Sequence, residues 1–153
     1  MKTSQDETNE RLALLTQGLR RAGVKTTHQR LEIVRELAMS GDHPDAEVIW
    51  RGVRARVPTL SLDTVYRTLW LLLDRGLITT VGPSRERTRF DANMRPHHHF
   101  VCSVCGMTRD FYSKEFDSLE APASARAIGR VKTTRVEVQG VCSTCAREMN
   151  RHE

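Results

Sequence analysis

Four cysteines in two C-x-x-C pairs are the most chemically specific feature of the sequence. Cys102 and Cys105 form one pair, and Cys142 and Cys145 form the other. Two such pairs, each beside a predicted strand, can deliver four thiolates to one tetrahedral zinc ion. Disulfides are not expected in a reducing compartment. The alternatives to a zinc site are therefore two separate thiol-redox pairs or free buried cysteines. A closed four-thiolate shell has no open position, so we expect this zinc to stabilise the fold rather than sense a signal.

A run of three histidines is the second such feature. Side chains alternate between the faces of a strand, so His97 and His99 share one face and His98 points to the other. Asp110 lies on the next predicted strand. A solvated polar strand would be the expectation for a single histidine, but two imidazoles and a carboxylate on one face predict a metal site.

Two further residues enlarge this set of possible ligands. Asp91 lies upstream of the histidines, and His43 precedes the third predicted helix. Imidazoles with carboxylates form a harder site than thiolates, which suits Fe(II) or Mn(II), with zinc as a competitor. The spacing links only the ligands on the two strands, and it does not show that His43 reaches them.

The first half of the chain is predicted to hold four helices and a hairpin. Apolar residues repeat at helical spacing in four segments, with Asp45 and Ser61 as N-caps of the third and fourth helices. Gly23 and Gly76 are the expected C-terminal stops of the first and fourth. Two short extended runs around residues 82–84 predict a β-hairpin. Three helices with a hairpin, and one additional helix in front, are typical of a winged helix-turn-helix domain.

The periodicity changes to two after Arg95-Pro96. Strands are predicted over residues 97–101, 107–111 and 131–138, with a helix or an irregular connection at 113–128 and a short tail. We therefore predict an α+β fold with two domains. Residues 1–91 would form a winged-helix domain with its N-terminal helix and hinge, and residues 92–153 a zinc-stapled α/β domain.

Charge and hydropathy favour a DNA-binding protein over a membrane protein. The formal net charge is +5, and the basic excess lies in the first half. The longest apolar run, residues 69–73, is far shorter than the roughly 20 residues of a membrane span. The polar N-terminus has no apolar core typical of a signal peptide. We therefore expect a cytoplasmic protein.

From about Leu15 to Cys145 the sequence resembles the ferric uptake regulator superfamily. The resemblance rests on the order and spacing of several stretches. These are residues 23–30, His43-Pro44, residues 61–69, residues 88–91, residues 97–102, Cys105-Gly106, and Gly140-Val-Cys142 to Cys145. Asp110 stands at a position where aspartate is associated with the peroxide-sensing branch and glutamate with iron-uptake regulators. The chain is therefore most similar to the peroxide-sensing branch.

The resemblance implies a homodimeric repressor, not an enzyme, that binds a palindromic operator in double-stranded DNA. Residues 1–91 would be its DNA-binding domain, and residues 92–153 its dimerisation domain. It implies one regulatory Fe(II) or Mn(II) site, formed by His43, Asp91, His97, His99 and Asp110. Hydrogen peroxide would be the signal, acting through Fe(II)-driven oxidation of His43 or His97. The alternative is an iron-uptake regulator that uses Fe(II) as a reversible corepressor.

The fourth helix would be the recognition helix in the major groove. Thr68 is also expected on its exposed face. The predicted DNA-contacting residues are Arg30, Ser61, Thr64, Tyr66, Arg67, Arg85 and Arg87.

One known site of the superfamily is not expected here, and two other classes of protein stay open. Some iron regulators have an additional metal site with a histidine where this chain has Thr134, and only His98 and Asp117 match parts of it. A mononuclear iron oxygenase would use similar ligands but needs a substrate pocket. A zinc-stapled interaction module would not bind DNA, which a gel shift would reveal.

Overall fold

The computed structural model describes residues 4–81 and 88–151. The chain forms two compact units, Met1–Met94 and Arg95–Glu153. No helix in the described ranges is both long enough and apolar enough to cross a membrane.

The first unit consists of four helices followed by a two-stranded sheet. Its elements are α1 (Gln5–Arg21), α2 (His28–Met39), α3 (Ala46–Arg54), α4 (Leu62–Asp74), β1 (Thr79–Val81) and β2 (Arg89–Asp91). The predicted caps are confirmed: Asp45 accepts from the Val48 amide at 2.9 Å, and Ser61 accepts from the Thr64 amide at 3.1 Å. These bonds fix where α3 and α4 begin, because each satisfies an amide that has no partner within its helix.

Glycines end α1 and α4 as predicted. Gly23 has φ +70° and Gly76 has φ +69°, a left-handed conformation that glycine adopts without steric cost. After each glycine the next amide donates back into the helix, from Val24 to the Leu19 carbonyl at 3.0 Å and from Leu77 to the Leu72 carbonyl at 2.9 Å. The turn that follows α4 leads directly into β1.

Apolar side chains from all four helices and from β2 form one core in this unit. The buried members are Leu15, Leu19, Ile33, Val34, Leu37, Ala46, Ile49, Val53, Val57, Leu60, Val65, Leu69, Leu72, Ile78, Phe90 and Ala92. Trp50 packs at the edge of this core and donates its indole N–H to the Leu60 carbonyl at 2.9 Å. That bond holds the segment leading into Ser61, so it helps to set the start of α4.

The hairpin also connects to the segment in front of α3. Strands β1 and β2 are antiparallel, with Thr79 opposite Asp91. The Phe90 amide donates to the Pro44 carbonyl at 3.0 Å, and Asp45 forms a β-bridge with Arg89. The end of β2 is therefore held beside residues 43–45. The predicted turn at 82–84 lies outside the described residues.

The second unit is a small mixed sheet with three short helices. Its elements are β3 (His98–Cys102), β4 (Thr108–Phe111), α5 (Lys114–Asp117), α6 (Ala123–Ile128), β5 (Glu137–Gly140) and α7 (Ser143–Asn150). The strand order is β4-β3-β5, with β4 antiparallel and β5 parallel to β3.

Two predictions for this unit are wrong. The strand predicted at 131–138 is confined to Glu137–Gly140, because β3 begins at His98 and its parallel pairing with β5 starts at His99 opposite Glu137. Residues before that point therefore have no β3 partner in register. The short tail predicted after the last strand instead forms the helix α7, whose eight residues are too few for a clear helical period.

Candidate metal centres and nucleic-acid interface

The four cysteines lie together at one end of the second unit. Cys102 ends β3, and Cys105 lies in the tight turn that follows. Gly106, with φ +73°, closes that turn by donating its amide to the Cys102 carbonyl at 2.9 Å. Cys142 is the N-cap of α7, and Cys145 lies in the first turn of that helix. The four sulfur atoms are all within 4.8 Å of one another.

The spacing of the thiols matches one tetrahedral zinc ion. Zn–S bonds of about 2.3 Å place the sulfurs of a tetrahedral site about 3.8 Å apart. The Sγ atoms of Cys105 and Cys142 are 3.9 Å apart. The four residues therefore fit a closed structural zinc site, as predicted.

Backbone amides favour a thiolate at one of these cysteines. Hydrogen bonds from the amides of Cys105 and Cys142 lower the pKa of Cys102 to about 6. The hydrogen bond with the Cys142 thiol, together with burial, raises the pKa of Cys145 to about 12. Without a cation the four groups cannot all be ionised, and a divalent metal removes that conflict.

Three predicted regulatory ligands lie close together within the second unit. The Nε2 atoms of His97 and His99 are 3.1 Å apart. The Asp110 Oδ1 atom is 3.4 Å from the His99 Nε2 and 3.8 Å from the His97 Nε2. These separations compare with about 3.0 Å between adjacent ligands in an octahedral site with 2.1 Å bonds. Both imidazoles are buried. The triad therefore has the donor chemistry and the spacing of one face of a metal site.

A hydrogen bond orients the His97 ring for metal binding. Its Nδ1 lies 2.6 Å from the Arg95 carbonyl oxygen, which can only accept, so Nδ1 carries the proton. In the neutral ring, Nε2 then has its lone pair directed toward His99 and Asp110. Ligand histidines usually show this arrangement, in which the outer ring nitrogen donates to a carbonyl or carboxylate.

His43 and Asp91 form a second buried group, within the first unit. The His43 Nδ1 and the Asp91 Oδ1 are 3.7 Å apart, and both side chains are buried. Among the described non-glycine residues, His43 alone has a positive φ, at +47°. Such a conformation costs a residue with a Cβ about 1–2 kcal/mol, and strain of this kind is concentrated at functional sites. Asp91 is oriented by the Asn93 amide, which donates to its Oδ1 at 2.8 Å.

The predicted recognition helix exposes part of the predicted DNA-contacting set. Tyr66 and Arg67 are exposed, and Ser61, the N-cap, is exposed as well. Thr64 is half-buried. Thr68 is 2% exposed and donates to the Thr64 carbonyl at 2.8 Å, so its predicted place on the exposed face is wrong. The i, i+3 and i+7 spacing of Val65, Thr68 and Leu72 places Thr68 on the apolar face.

Two residues that sequence reasoning omitted share the exposed face of α4. Asp63 forms a salt bridge with Arg67, with Oδ2 2.8 Å from Nε. Trp70 is 50% exposed and makes a T-shaped contact with Phe90. Asp63 and Trp70 lie three or four positions from Tyr66 and Arg67, and this helical spacing could have placed them on the same face.

The predicted arginines outside α4 differ in how they are placed. Arg30 is half-buried at the start of α2 and donates to the Lys25 carbonyl at 2.8 Å. Arg85 and Arg87 lie outside the described residues.

Comparisons with known proteins agree on one family. The model of the ferric uptake regulator family matches residues 21–139. The peroxide-responsive repressor PerR of Staphylococcus epidermidis is 35% identical over 132 residues, covering 86% of this chain and 88% of that protein. A solved structure of a zinc-bound manganese uptake regulator is 30% identical, covers 84% of this chain and 98% of its own, and has a TM-score of 0.64. The Helicobacter pylori ferric uptake regulator has a TM-score of 0.68 at 24% identity, covering 91% of this chain and 93% of its own. The chain belongs to the ferric uptake regulator family of metal-responsive transcription regulators.

Proposed function

We propose that this protein is a metal-dependent repressor that responds to hydrogen peroxide. The observation that carries the proposal is the triad of His97, His99 and Asp110, in which both imidazoles are buried and the ligand atoms lie within 3.8 Å of one another. The relatives named peroxide-responsive repressors support the signal. Fe(II) or Mn(II) would be the regulatory metal, because imidazoles and carboxylates suit these harder ions.

A single regulatory ion would draw ligands from both units. The triad alone offers three donors, and the His43–Asp91 pair offers two. Five ligands of these types would leave one position of an octahedral ion open for a small molecule. His43 and Asp91 support this role because both are buried and polar, with Nδ1 and Oδ1 3.7 Å apart, and because His43 has a strained backbone conformation.

Metal binding would regulate DNA affinity by restricting the hinge between the units. The first unit would be the DNA-binding domain, with α4 in the major groove and the predicted contacts from Tyr66 and Arg67. The second unit would hold the homodimer together around its zinc. Two half-sites of a palindromic operator accept only one separation of the two α4 helices, so a fixed hinge favours binding. A coupling of about 1–3 kcal/mol would change operator affinity roughly 5–150-fold.

Peroxide would act on the ligands themselves. When bound, Fe(II) would supply the redox chemistry that cleaves the O–O bond of peroxide. One peroxide oxygen would add to a ring carbon of the His43 or His97 imidazole, which loses two electrons overall, and the other oxygen would leave as water. An oxidised imidazole is a poorer ligand, so the hinge would be released and the operator freed. The cysteines are the less available targets, because zinc closes their shell.

The test compares Fe(II)-loaded and Mn(II)-loaded protein after anaerobic purification and a low dose of peroxide. We expect a peptide containing His43 or His97 to gain the mass of one oxygen atom in the Fe(II) form only, in parallel with the loss of operator binding in a gel shift. Unchanged histidine peptides alongside a full loss of DNA binding would refute the oxidation mechanism. Reversible loss and recovery of DNA binding on removing and restoring Fe(II), without any mass change, would support the iron-uptake alternative.

His43→Ala separates the regulatory role from the fold. We expect this variant to keep its zinc and its dimeric state and to lose the metal dependence of operator binding. His28→Ala is the matched control, because His28 is an exposed histidine of the same unit that belongs to neither candidate metal site.

A further inference from the structure

His98 is a buried histidine that the regulatory site does not use. Its side chain is 2% exposed, and strand alternation directs it away from the face of His99. The ring packs between two aromatic side chains, with centroid distances of 5.6 Å to Phe111 and 5.5 Å to Phe116. A polar ring is stable in such a place only if its nitrogens are hydrogen-bonded.

Both ring nitrogens of His98 have partners. The Val136 amide donates to Nδ1 at 3.1 Å. The Nε2 lies 3.0 Å from the Asp117 Oδ1. A backbone amide can only donate, so Nδ1 bears the lone pair and the proton of the neutral ring resides on Nε2, which donates to Asp117. In this arrangement neither nitrogen of the neutral ring has a lone pair left for a metal ion.

These two bonds join three segments of the second unit at the end of the sheet that carries the triad. Asp117 belongs to α5, and Val136 immediately precedes β5. The link to Val136 is reciprocal, because the Val136 carbonyl accepts from the His99 amide at 3.1 Å. Before Val136 the chain is exposed and has no regular structure from residue 130. The His98 ring therefore secures the first residue pair of the β3–β5 ladder, where a sheet would otherwise fray.

We propose that His98 is a positioning residue for the regulatory metal site, acting through its hydrogen bonds to Asp117 and Val136. The residues on either side of it in the chain are His97 and His99, whose Nε2 atoms must stay about 3 Å apart to share an ion. Fixing the His98 ring fixes the backbone that carries both. This inference rests on the proposed function of the triad, and it adds that His98 orients the triad and is not itself a ligand.

The test measures Mn(II) affinity in zinc-loaded protein. Asp117→Ala removes the acceptor of the Nε2–H group, and His98→Phe removes both bonds while keeping a ring among the aromatic side chains. We expect each to weaken Mn(II) binding roughly tenfold, at the low end of what the loss of an outer partner costs a metal site. Asp117→Asn keeps an amide oxygen that accepts the same hydrogen bond, so we expect it to retain most of the affinity. Glu115→Ala, which removes an exposed carboxylate from the same helix, should change nothing.

Several outcomes would overturn the proposal. An Asp117→Asn variant as weak as Asp117→Ala would show that the charge matters and not the hydrogen bond. Loss of an additional metal equivalent in His98→Phe would make His98 a ligand. Ring nitrogen NMR is expected to show a bare Nδ1 and a protonated Nε2, and the reverse pattern would contradict the assignment. Zinc content and circular dichroism identify a variant that fails to fold. If His98→Phe does not fold, the comparison of Asp117→Ala with Asp117→Asn still tests the proposal.

A His97→Ala control separates this inference from the function on which it rests. If His97→Ala binds Mn(II) normally, the triad is not the regulatory site and the proposed function fails. If His97→Ala loses Mn(II) while the His98 and Asp117 variants bind it normally, only the positioning role fails.

Discussion

Removal of the structural zinc should unfold the second unit while leaving the first one folded. In the described part of the second unit, Val101 is the one buried aliphatic side chain. The buried cluster of this unit consists of three of the cysteines, with Phe100 and Met107 packed against them. Burying one such side chain contributes about 1.5–3 kcal/mol. Aliphatic burial within this unit is therefore a small contribution to its stability.

Zinc bound to four thiolates is a much larger contribution. Structural zinc contributes about 10–16 kcal/mol in small domains of this kind. The first unit has its own core of buried side chains from four helices and β2, so it does not depend on that ion. We therefore expect Cys142→Ser, or chelation of the wild-type protein, to abolish the dimer and the protection of amides in β3, β4 and β5.

Hydrogen exchange measured by mass spectrometry gives the result segment by segment. Peptides from β3 to α7 should exchange fully without zinc, whereas α2 and α4 should keep their protection. Val104→Ser is the matched control, since Val104 is an exposed, non-ligand residue of the same C-x-x-C turn, and it should change stability by less than about 0.5 kcal/mol. Protected β3–β5 peptides in zinc-free Cys142→Ser would refute the reasoning.

Three further predictions concern the first unit. Arg67→Ala should weaken operator binding by about 1–3 kcal/mol in a gel shift if the Arg67 guanidinium contacts a base. Arg75→Ala, at the other end of α4, should have a smaller effect. Equal losses of affinity would contradict base recognition. Trp50→Phe should lower the free energy of urea unfolding by about 1 kcal/mol, because it removes the indole hydrogen bond before Ser61, and no change would contradict that role. The hydrogen bond from Arg56 lowers the pKa of Glu32, so this ion pair stabilises the fold above the ordinary pKa of glutamate and stops doing so as the pH falls through the lowered pKa. The free energy of unfolding between about pH 6 and about pH 3 should therefore depend less steeply on pH in Arg56→Gln than in the wild type. An unchanged slope would contradict the assignment.

Much of the first unit follows from local chemistry. Asp45, Ser61, Gly23 and Gly76 mark helix ends because caps and left-handed glycines act within one turn, so the sequence around them is sufficient. The prediction for Thr68 was wrong because a threonine hydroxyl can donate to a backbone carbonyl of its own helix, here that of Thr64. The side chain can then pack on an apolar face. Composition does not show which choice a threonine makes.

The second unit was harder to predict because its order depends on partners that are distant in sequence. The extent of β5 is set by where β3 begins, and no local pattern at residues 131–136 records that limit. The triad was predictable, since strand alternation and the next strand supply its three members. The carbonyl that orients His97 and the partners of His98 were not, because Arg95, Asp117 and Val136 become neighbours only through tertiary structure.

The most direct test of the regulatory site is the number of Mn(II) ions bound by zinc-loaded protein and by two single variants. Equilibrium dialysis should find one Mn(II) per wild-type subunit, and none at the same free concentration in either His43→Ala or His97→Ala, because one ion would need ligands from both units. Retention of one Mn(II) by both variants, or two ions in the wild type with one lost in each variant, would contradict a shared ion and with it the proposed control of DNA binding.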